Sequence, residues 1–167
     1  LAAQGEAAAT VPEPPGDRMD EYRAPVPATL AGATVIDTPE AERLWREKAA
    51  VFIDALPRPK KPDNLPAGTV WHDKPRPSIP GAAWLANVGY GRLAPDMEAY
   101  FRDRLAALTG GDKAKAVVFF CQANCWMSWN AAKRAVSWGY EAVLWYPAGT
   151  DGWAAANLPL EEAEPLP

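Results

Sequence analysis

The spacing of hydrophobic residues changes along the chain and predicts alternating strands and helices. Short unbroken apolar runs indicate buried strands at residues 50–54, 116–120 and 142–146. Apolar residues at helical spacing indicate helices at residues 38–48, 97–108 and 128–138, followed by a short helix around Trp153. Because strands alternate with helices, the pattern predicts an α/β fold with a central, mainly parallel sheet and helices on both faces.

Residues typical of helix ends set the predicted helix boundaries. Thr38 and Asp96 are expected to cap the first and second helices, because their side-chain oxygens can accept hydrogen bonds from free N–H groups. Ser128 and Asp151 are the expected caps of the third and the last helix. Gly110 is expected to end the second helix.

Proline-rich segments divide the chain. Residues 1–33 combine prolines with small and polar residues, which predicts an extended N-terminal arm and a folded domain over residues 34–167. Tyr22 and Val26 are the arm residues expected to contact that domain. Residues 57–80 hold seven prolines and predict a long loop, and loops of that length are usually functional or cover another part of the domain.

Charge and apolar run length exclude two classes of partner. The formal net charge is −4 and basic residues form no cluster, so no nucleic-acid partner is expected. The longest apolar run, residues 116–121, is far shorter than the roughly 20 residues of a membrane-spanning helix, so no membrane span is expected. The chain begins at Leu1 with a segment rich in Ala and Pro, which suggests an exported protein whose signal peptide has been removed.

The candidate site is the loop that follows the clearest buried strand. That strand runs directly into Cys121, and Cys125 comes four residues later, just before a helix. Loop N–H groups and the positive end of a helix stabilise a thiolate, so both cysteines are candidate catalytic residues. The other candidate pocket residues are Gln122, Ala123, Asn124, Trp126, Met127, Ser128 and, at the end of an earlier strand, Asp54.

The spacing of the two cysteines leaves several chemistries open. In a helix-like turn, residues four apart have Cα atoms about 6 Å apart, which lies within disulfide range. A Cys121–Cys125 disulfide is either reversible, with Cys125 resolving an oxidised or persulfidated Cys121, or static. Two thiolates without further ligands make an incomplete metal site, so no metal is assigned. His72 is the only histidine, and a Cys–His pair needs the proline-rich loop to fold over the site.

Short motifs between residues 37 and 160 have the order and spacing of one known family. They are the strand 117–120 with Cys121 after it, Ala131-Ala132, Gly139-Tyr140, Gly149, Trp153 and Leu158-Pro159, with Ile53-Asp54 and Ile79-Pro80-Gly81-Ala82 upstream. The pattern resembles a rhodanese-like domain, with Cys121 at the catalytic position. The resemblance implies a rhodanese-like α/β fold and sulfurtransferase-like chemistry.

A narrower resemblance rests on Cys121-x-x-x-Cys125-Trp126 and the helix after it. Trp145-Tyr146-Pro147, Asp151-Gly152-Trp153 and Ser78-Ile79-Pro80-Gly81 also fit. These motifs resemble a small bacterial family that is named for its C-x-x-x-C-W motif and is associated with alcohol catabolism dependent on pyrroloquinoline quinone (PQQ). The resemblance implies a periplasmic accessory protein with a dehydrogenase or a cytochrome as partner. It assigns no bound cofactor to the chain itself.

The chain departs from the ordinary rhodanese pattern around the site. Ser78 replaces the usual histidine, and the arginine that usually follows soon after Asp54 is missing from its place. The cysteine loop is longer, and Trp126 and Met127 stand where an oxyanion-binding arginine is usual. A loop without a bidentate charge partner holds thiosulfate or phosphate poorly. Classical thiosulfate sulfurtransferase and phosphatase activities are therefore not expected.

Three functions remain open at this stage. The first is an enzyme or carrier that uses the cysteine pair in thiol–disulfide redox or sulfur-carrier chemistry. The second is a binding module with a structural disulfide, which recognises a dehydrogenase, a cytochrome or a quinone-related ligand. The third is a structural accessory that docks through its arm and its proline-rich loop. Trp126, placed within a tight cysteine loop, is expected to face the pocket.

Overall fold

Parallel strands form the centre of the protein. Its computed structural model describes residues 11–58 and 61–167. Five strands form the central sheet in the order β1-β6-β5-β2-β4, and every neighbouring pair is parallel. Their bounds are β1 Thr34–Val35, β2 Val51–Asp54, β4 Ala83–Trp84, β5 Val117–Phe120 and β6 Val143–Tyr146. The α/β fold with a parallel sheet is therefore confirmed.

Four helices pack on the two faces of this sheet. They are α1 Thr38–Arg46, α2 Pro95–Thr109, α3 Trp126–Ser137 and α4 Gly149–Ala155. On β5, Val117 and Phe119 join the apolar cluster that contains α2 and α3, whereas Val118 and Phe120 join the cluster that contains α1 and α4. This alternation is what a strand with two buried faces requires. Within the described residues, no helix is long and apolar enough to cross a bilayer.

The register of the sheet brings the carboxyl ends of three strands together. Asp54 at the end of β2 pairs with Phe120 at the end of β5, and Phe120 pairs with Tyr146 at the end of β6. Cys121 follows Phe120 at this edge. The edge is where open α/β sheets bind their ligands, and it brings Asp54 and Cys121 together although 66 residues separate them in the sequence.

The predicted caps of α1 and α2 are wrong. The N-cap of α1 is Asp37, whose carboxylate accepts the N–H of Glu40 at 3.0 Å. Thr38 instead lies inside the helix, where its hydroxyl hydrogen-bonds the Tyr146 hydroxyl at 2.6 Å. Helix α2 begins at Pro95, so Asp96 lies in its first turn. In both helices a proline occupies the first turn, where its fixed φ is already helical.

The prediction that residues 57–80 form only a loop is also wrong. A short strand, β3 (Arg76–Ser78), pairs antiparallel with β7 (Glu161–Ala163) in a separate two-stranded sheet. Pro77 lies in β3, which is tolerated because a two-stranded sheet consists of edge strands. The sequence around β3 shows no alternation of apolar and polar residues that would predict a strand. Its pairing partner, β7, lies near the other end of the chain.

The described part of the N-terminal arm lies against the domain. Pro27 and Leu30 are buried, and Tyr22 and Val26 are partly buried against the apolar core, as predicted. The carboxylate of Glu13 accepts hydrogen bonds from the Thr29 hydroxyl at 2.6 Å and from the Ala31 N–H at 3.1 Å. Residues 1–10 of the predicted arm lie outside the described residues.

Candidate functional site

Cys121 and Cys125 form a disulfide at the carboxyl edge of the sheet. Cys121 follows β5 directly, and Cys125 is the N-cap residue of α3. Their Cα atoms lie 6.4 Å apart. The predicted disulfide is therefore present in the structure. Both cysteines are buried, with exposed fractions of 0% for Cys121 and 2% for Cys125, so solvent does not reach either sulfur freely.

The three residues between the cysteines form the outer surface of the loop. Gln122 and Ala123 are partly exposed, and Asn124 is exposed. Asn124 has φ of +53°, a left-handed conformation that asparagine tolerates better than most residues. The Ala123 N–H donates to the carboxylate of Asp151 at 3.0 Å. The cap prediction for Asp151 is thus wrong: Ala148 is the N-cap of α4, and Asp151 anchors the cysteine loop.

A buried ion pair lies beneath the loop. The Arg76 guanidinium donates to both carboxylate oxygens of Asp54, through Nε at 2.7 Å and Nη2 at 3.0 Å. The Ser78 hydroxyl and the Leu56 N–H also donate to this carboxylate, at 2.8 and 3.0 Å. Asp54 is 0% exposed and Arg76 is 6% exposed, so this is a bidentate, charge-assisted contact shielded from water. Asp54 therefore lies under the site rather than on its surface.

The same arginine holds Cys121 in place. The Cys121 carbonyl oxygen accepts hydrogen bonds from Arg76 Nη2 at 3.0 Å, from the Thr150 N–H at 3.1 Å and from the Thr150 hydroxyl at 3.2 Å. Arg76 Nη1 also donates to Thr150 Oγ1 at 3.3 Å. The backbone of Cys121 is therefore fixed by two side chains from distant parts of the chain.

Sequence reasoning missed Arg76 and Thr150. It predicted a site without an arginine, because Trp126 and Met127 stand where the arginine of the cysteine loop is usual, but the structure supplies one from β3. The sequence did offer one signal. Ser78 stands at the position of the usual histidine, and an arginine, Arg76, lies two residues before it. The nitrogens of this guanidinium are directed at Asp54, Thr150 and Cys121 rather than at the outer face of the loop.

Trp126 does not face a pocket, contrary to the prediction. Its side chain is 0% exposed because the arm covers it. The indole N–H donates to the Pro25 carbonyl at 3.1 Å, the Arg18 guanidinium lies 4.8 Å from the ring centre, and the Trp129 ring meets it edge-on at 5.1 Å. A tryptophan can be buried in this way only when its N–H finds an acceptor, and the arm provides one.

Met127 and Ser128 are also buried. Met127 is 1% exposed and packs with the two cysteines. The Ser128 hydroxyl accepts the Trp145 indole N–H at 3.0 Å and donates to the Cys125 carbonyl at 3.4 Å. It is therefore not the helix cap that the sequence suggested, since α3 begins two residues earlier. The Ser128 hydroxyl gives the buried Trp145 indole N–H a hydrogen-bond acceptor under the first turn of α3.

Aromatic and apolar side chains cover the disulfide. Tyr22 of the arm, Leu56 and Tyr90 pack on the cluster formed by the cysteines and Met127. The rings of Tyr22 and Tyr90 meet edge-on with centres 5.3 Å apart. Burial raises the pKa of Tyr90 above its usual value, with a smaller contribution from Tyr22. The surroundings of the disulfide are thus apolar and uncharged on this side.

Among the described residues, neither a histidine nor a group of metal-binding side chains lies with the cysteine pair. His72 is exposed on the proline-rich segment, as expected of a surface histidine rather than of the partner of a buried thiol. Across residues 11–58 and 61–167, no three Cys, His, Asp or Glu side chains are grouped so that they could hold a metal ion. The chemistry that the described site offers is that of the cysteine pair.

Comparisons with known proteins agree with the fold. The polysulfide-sulfur transferase homodimer from Wolinella succinogenes is 22% identical with a TM-score of 0.50, over 78% of this chain and 80% of that chain. A variant of EanB, solved in complex with ergothioneine covalently linked with a cysteine persulfide, is 21% identical with a TM-score of 0.56, over 89% of this chain and 36% of that chain. At these identities the likeness concerns the fold. No curated protein sequence matches the chain significantly.

The family is shown by the sequence itself. The model of the rhodanese-like domain family matches residues 37–156, which is well over half of the chain. The matched region contains β2, β5 and the cysteine loop, and it ends just after α4. The predicted rhodanese-like α/β fold is therefore confirmed, and the chain belongs to the rhodanese-like domain family.

Proposed function

We propose that the Cys121–Cys125 pair is the working group of this protein and performs thiol–disulfide redox or sulfur-carrier chemistry. One observation carries the proposal: the disulfide occupies the loop after β5, at the carboxyl edge of the parallel sheet of a rhodanese-like domain. A purely structural disulfide gains little at this position, because cross-linking residues only four apart closes a very small loop.

The surroundings assign different roles to the two sulfurs. Cys125 is the N-cap of α3, a helix of 12 residues, so its thiolate lies at the positive end of the helix dipole. A thiolate that is stabilised by its surroundings is the better leaving group in disulfide exchange. An incoming thiolate therefore attacks the Cys121 sulfur, and Cys125 leaves as the thiolate.

The redox cycle balances with a dithiol partner. The first partner thiolate forms a mixed disulfide with Cys121 and releases the Cys125 thiolate. The second partner thiol then attacks the mixed disulfide, so the partner becomes a disulfide and both cysteines become thiols. Two electrons pass to the protein, and an oxidised partner disulfide returns it to the starting state by the reverse steps.

The same pair supports sulfur carriage once it is reduced. The reduced Cys121 thiolate attacks the terminal sulfur of a polysulfide and becomes a persulfide, and the polysulfide leaves with one sulfur atom fewer. Attack of the Cys125 thiolate on the inner sulfur then re-forms the disulfide and releases hydrosulfide, HS⁻. A dithiol reductant must open the disulfide before each new cycle. In this chemistry Cys121 is the carrier and Cys125 resolves it.

The setting that we propose is the periplasm, where the protein is an accessory of PQQ-dependent alcohol catabolism. The C-x-x-x-C-W motif at residues 121–126 supports this setting through its resemblance to that family. A periplasmic dehydrogenase or cytochrome is the proposed partner. The test is genetic: a deletion strain should lose growth on an alcohol oxidised by a PQQ-dependent dehydrogenase. Wild-type protein should restore that growth, and Cys121→Ser should not.

A second candidate is a binding module with a fixed disulfide. The observation that favours it is burial, because Tyr22 and Tyr90 shield a pair that is at most 2% exposed. The protein then recognises a dehydrogenase, a cytochrome or a quinone-related ligand without changing its redox state. In that case Cys121→Ser supports growth in the genetic test as long as the protein folds.

Titration of the cysteine pair separates the two candidates. The protein is equilibrated with thiol redox buffers, and free thiols are tagged and counted by mass spectrometry. We expect a reduction potential well above about −300 mV, the range of working disulfides, with the fold retained on reduction. In Cys125→Ser, Cys121 should react with the tag while the fold is kept. A pair that stays oxidised below that potential, with the fold lost on reduction, contradicts the redox proposal and favours the binding module.

A further inference from the structure

The N-terminal arm is held on α3 through its backbone. The Trp126 N–H donates to the Tyr22 carbonyl at 2.8 Å. The indole N–H groups of Trp126 and Trp129 donate to the carbonyls of Pro25 and Thr29, both at 3.1 Å. All three donors belong to α3, and all three acceptors are main-chain atoms that any residue would offer.

Asn130 extends this pattern by one more residue of the arm. Its side-chain amide donates to the Arg18 carbonyl at 2.9 Å, and its Oδ1 accepts the Arg18 N–H at 2.9 Å. Asn130 is 0% exposed and also donates to the Gly89 carbonyl at 2.8 Å. A buried amide with both ends engaged by one arm residue recognises a peptide group rather than a side chain.

The arm also pairs with the backbone of the site itself. Arg23 forms an antiparallel β-bridge with Cys125. Tyr22, the residue before it, turns its ring onto the cysteine cluster, whereas Arg23 is exposed. The arm therefore lies as an added strand beside the disulfide, with one side chain over it. Strand addition of this kind draws its affinity from main-chain hydrogen bonds.

We propose that this face of α3 is a docking strip for an extended segment of a partner polypeptide, and that the arm occupies it when no partner is bound. The docking strip consists of Cys125, Trp126, Trp129 and Asn130. The inference rests on the proposed thiol–disulfide exchange and adds the kind of partner: a protein that presents a cysteine on an extended strand. The strip requires an occupant, because its buried indole and amide groups lose their partners when it is empty.

The position of the arm on the docking strip indicates where a partner segment must carry its cysteine. Tyr22 is the position of the segment that faces the disulfide, so a cysteine there meets the pair. Its thiolate attacks the Cys121 sulfur, forms a mixed disulfide and releases Cys125 as a thiolate. A second thiol of the partner then resolves the mixed disulfide, so the partner becomes oxidised and the pair reduced.

The first test places that cysteine in the full-length chain. In Tyr22→Cys, the new thiol should exchange with the pair and form a disulfide with Cys121, which leaves Cys125 free. Peptide mapping by mass spectrometry identifies the linkage. The matched control is Met19→Cys, since Met19 is 50% exposed on the same arm and should leave the Cys121–Cys125 disulfide intact. An intact pair in both variants overturns the proposed register.

The second test supplies the segment from outside. The probe is a synthetic peptide of residues 16–30 that carries Tyr22→Cys, and the small thiol glutathione is the reference. The protein is the full-length Arg18→Pro variant, which loses the N–H bonded to Asn130 but keeps the docking strip. We expect mixed-disulfide formation at least about tenfold faster with the peptide than with glutathione, because docking raises the effective concentration of the thiol. The advantage should be smaller in the wild-type protein, whose arm competes.

A second peptide separates backbone from side-chain recognition. It keeps the cysteine and the prolines in place but scrambles the other side chains, and it should retain most of the advantage. If glutathione exchanges with the pair and neither peptide reacts faster than glutathione, the docking inference is wrong, while the proposed redox function stands. If neither thiol exchanges in any variant, the proposed function fails and the docking inference fails with it.

Discussion

The guanidinium of Arg76 donates to the Cys121 carbonyl oxygen over 3.0 Å and at the same time forms a bidentate pair with Asp54. The three residues come from β3, the loop after β5 and the end of β2. A cysteine held in this way keeps its backbone position whether or not its sulfur is bonded to Cys125. The arginine therefore positions the site without contacting an incoming thiol.

Removal of this arginine should destabilise the protein strongly. In Arg76→Met the carboxylate of Asp54 stays buried without its charge partner, a situation that typically costs about 3–5 kcal/mol. The free energy of unfolding, measured by urea denaturation, should fall by that amount. Arg46→Met is the control, because Arg46 is 60% exposed beside Glu42, and loss of an exposed pair should cost less than about 1 kcal/mol. Equal stability of the two variants would contradict the role of Arg76.

Gly149 should be sensitive to a single added methyl group. Its φ is +57°, and a Cβ atom there would lie 2.6 Å from the Cys121 carbonyl oxygen. Gly110 is a matched control, because its φ is +65° but no atom lies within 4 Å of its Cβ position. Both alanine variants suffer backbone strain, and Gly149→Ala should lose a further 1–3 kcal/mol, roughly, from overpacking. Urea denaturation measures both, and equal losses would rule out the contact with Cys121.

The Trp126 indole N–H should help to hold the arm. Trp126→Phe keeps an aromatic ring but loses the hydrogen bond to the Pro25 carbonyl, which is worth about 1 kcal/mol. Backbone amides of residues 18–30 should then exchange with deuterium several times faster, whereas amides of β5 should not change. The comparison variant is Trp145→Phe, whose indole N–H donates to Ser128 away from the arm. Faster exchange in the arm of this second variant would argue against the assignment.

Acid should loosen the start of the arm. Hydrogen bonds from Thr29 and Ala31 lower the pKa of Glu13 below its ordinary value of 4.5, with a small contribution from Lys133. A lowered carboxyl pKa contributes stability that is present above pH 4.5 and is lost as the pH falls through the lower, folded pKa. The Ala31 amide resonance should report this transition by NMR. Glu13→Gln should abolish it, and a transition that persists in that variant would assign it to another group.

The sequence predicted the centre of the fold because the information there is local. The runs at residues 50–54, 116–120 and 142–146 locate β2, β5 and β6 to within a residue. Their apolar residues are continuous because both faces of the sheet are covered, which is a property of each strand alone. The cysteine pair is equally local, since only three residues lie between its members.

The features that sequence analysis missed depend on distant partners. Arg76 lies 22 residues from Asp54 and 45 from Cys121, and nothing in the proline-rich segment marks it as buried. Trp126 is covered by Pro25, which lies 101 residues away, so its burial depends on where the arm docks. The cap of α1 lies one residue before the expected Thr38, and the cap of α2 lies two residues before the expected Asp96, because in both helices a proline occupies the first turn.

The pairing of β3 with β7 has a consequence for biosynthesis. The strand that carries Arg76 finds its partner at Glu161–Ala163, after every other strand and helix in the sequence. The cysteines are therefore made before the strand that pairs with β3, so β3 is still without its partner when the cysteine loop has been synthesised. The order of synthesis thus separates the moment at which the cysteine loop is complete from the later moment at which its support is completed.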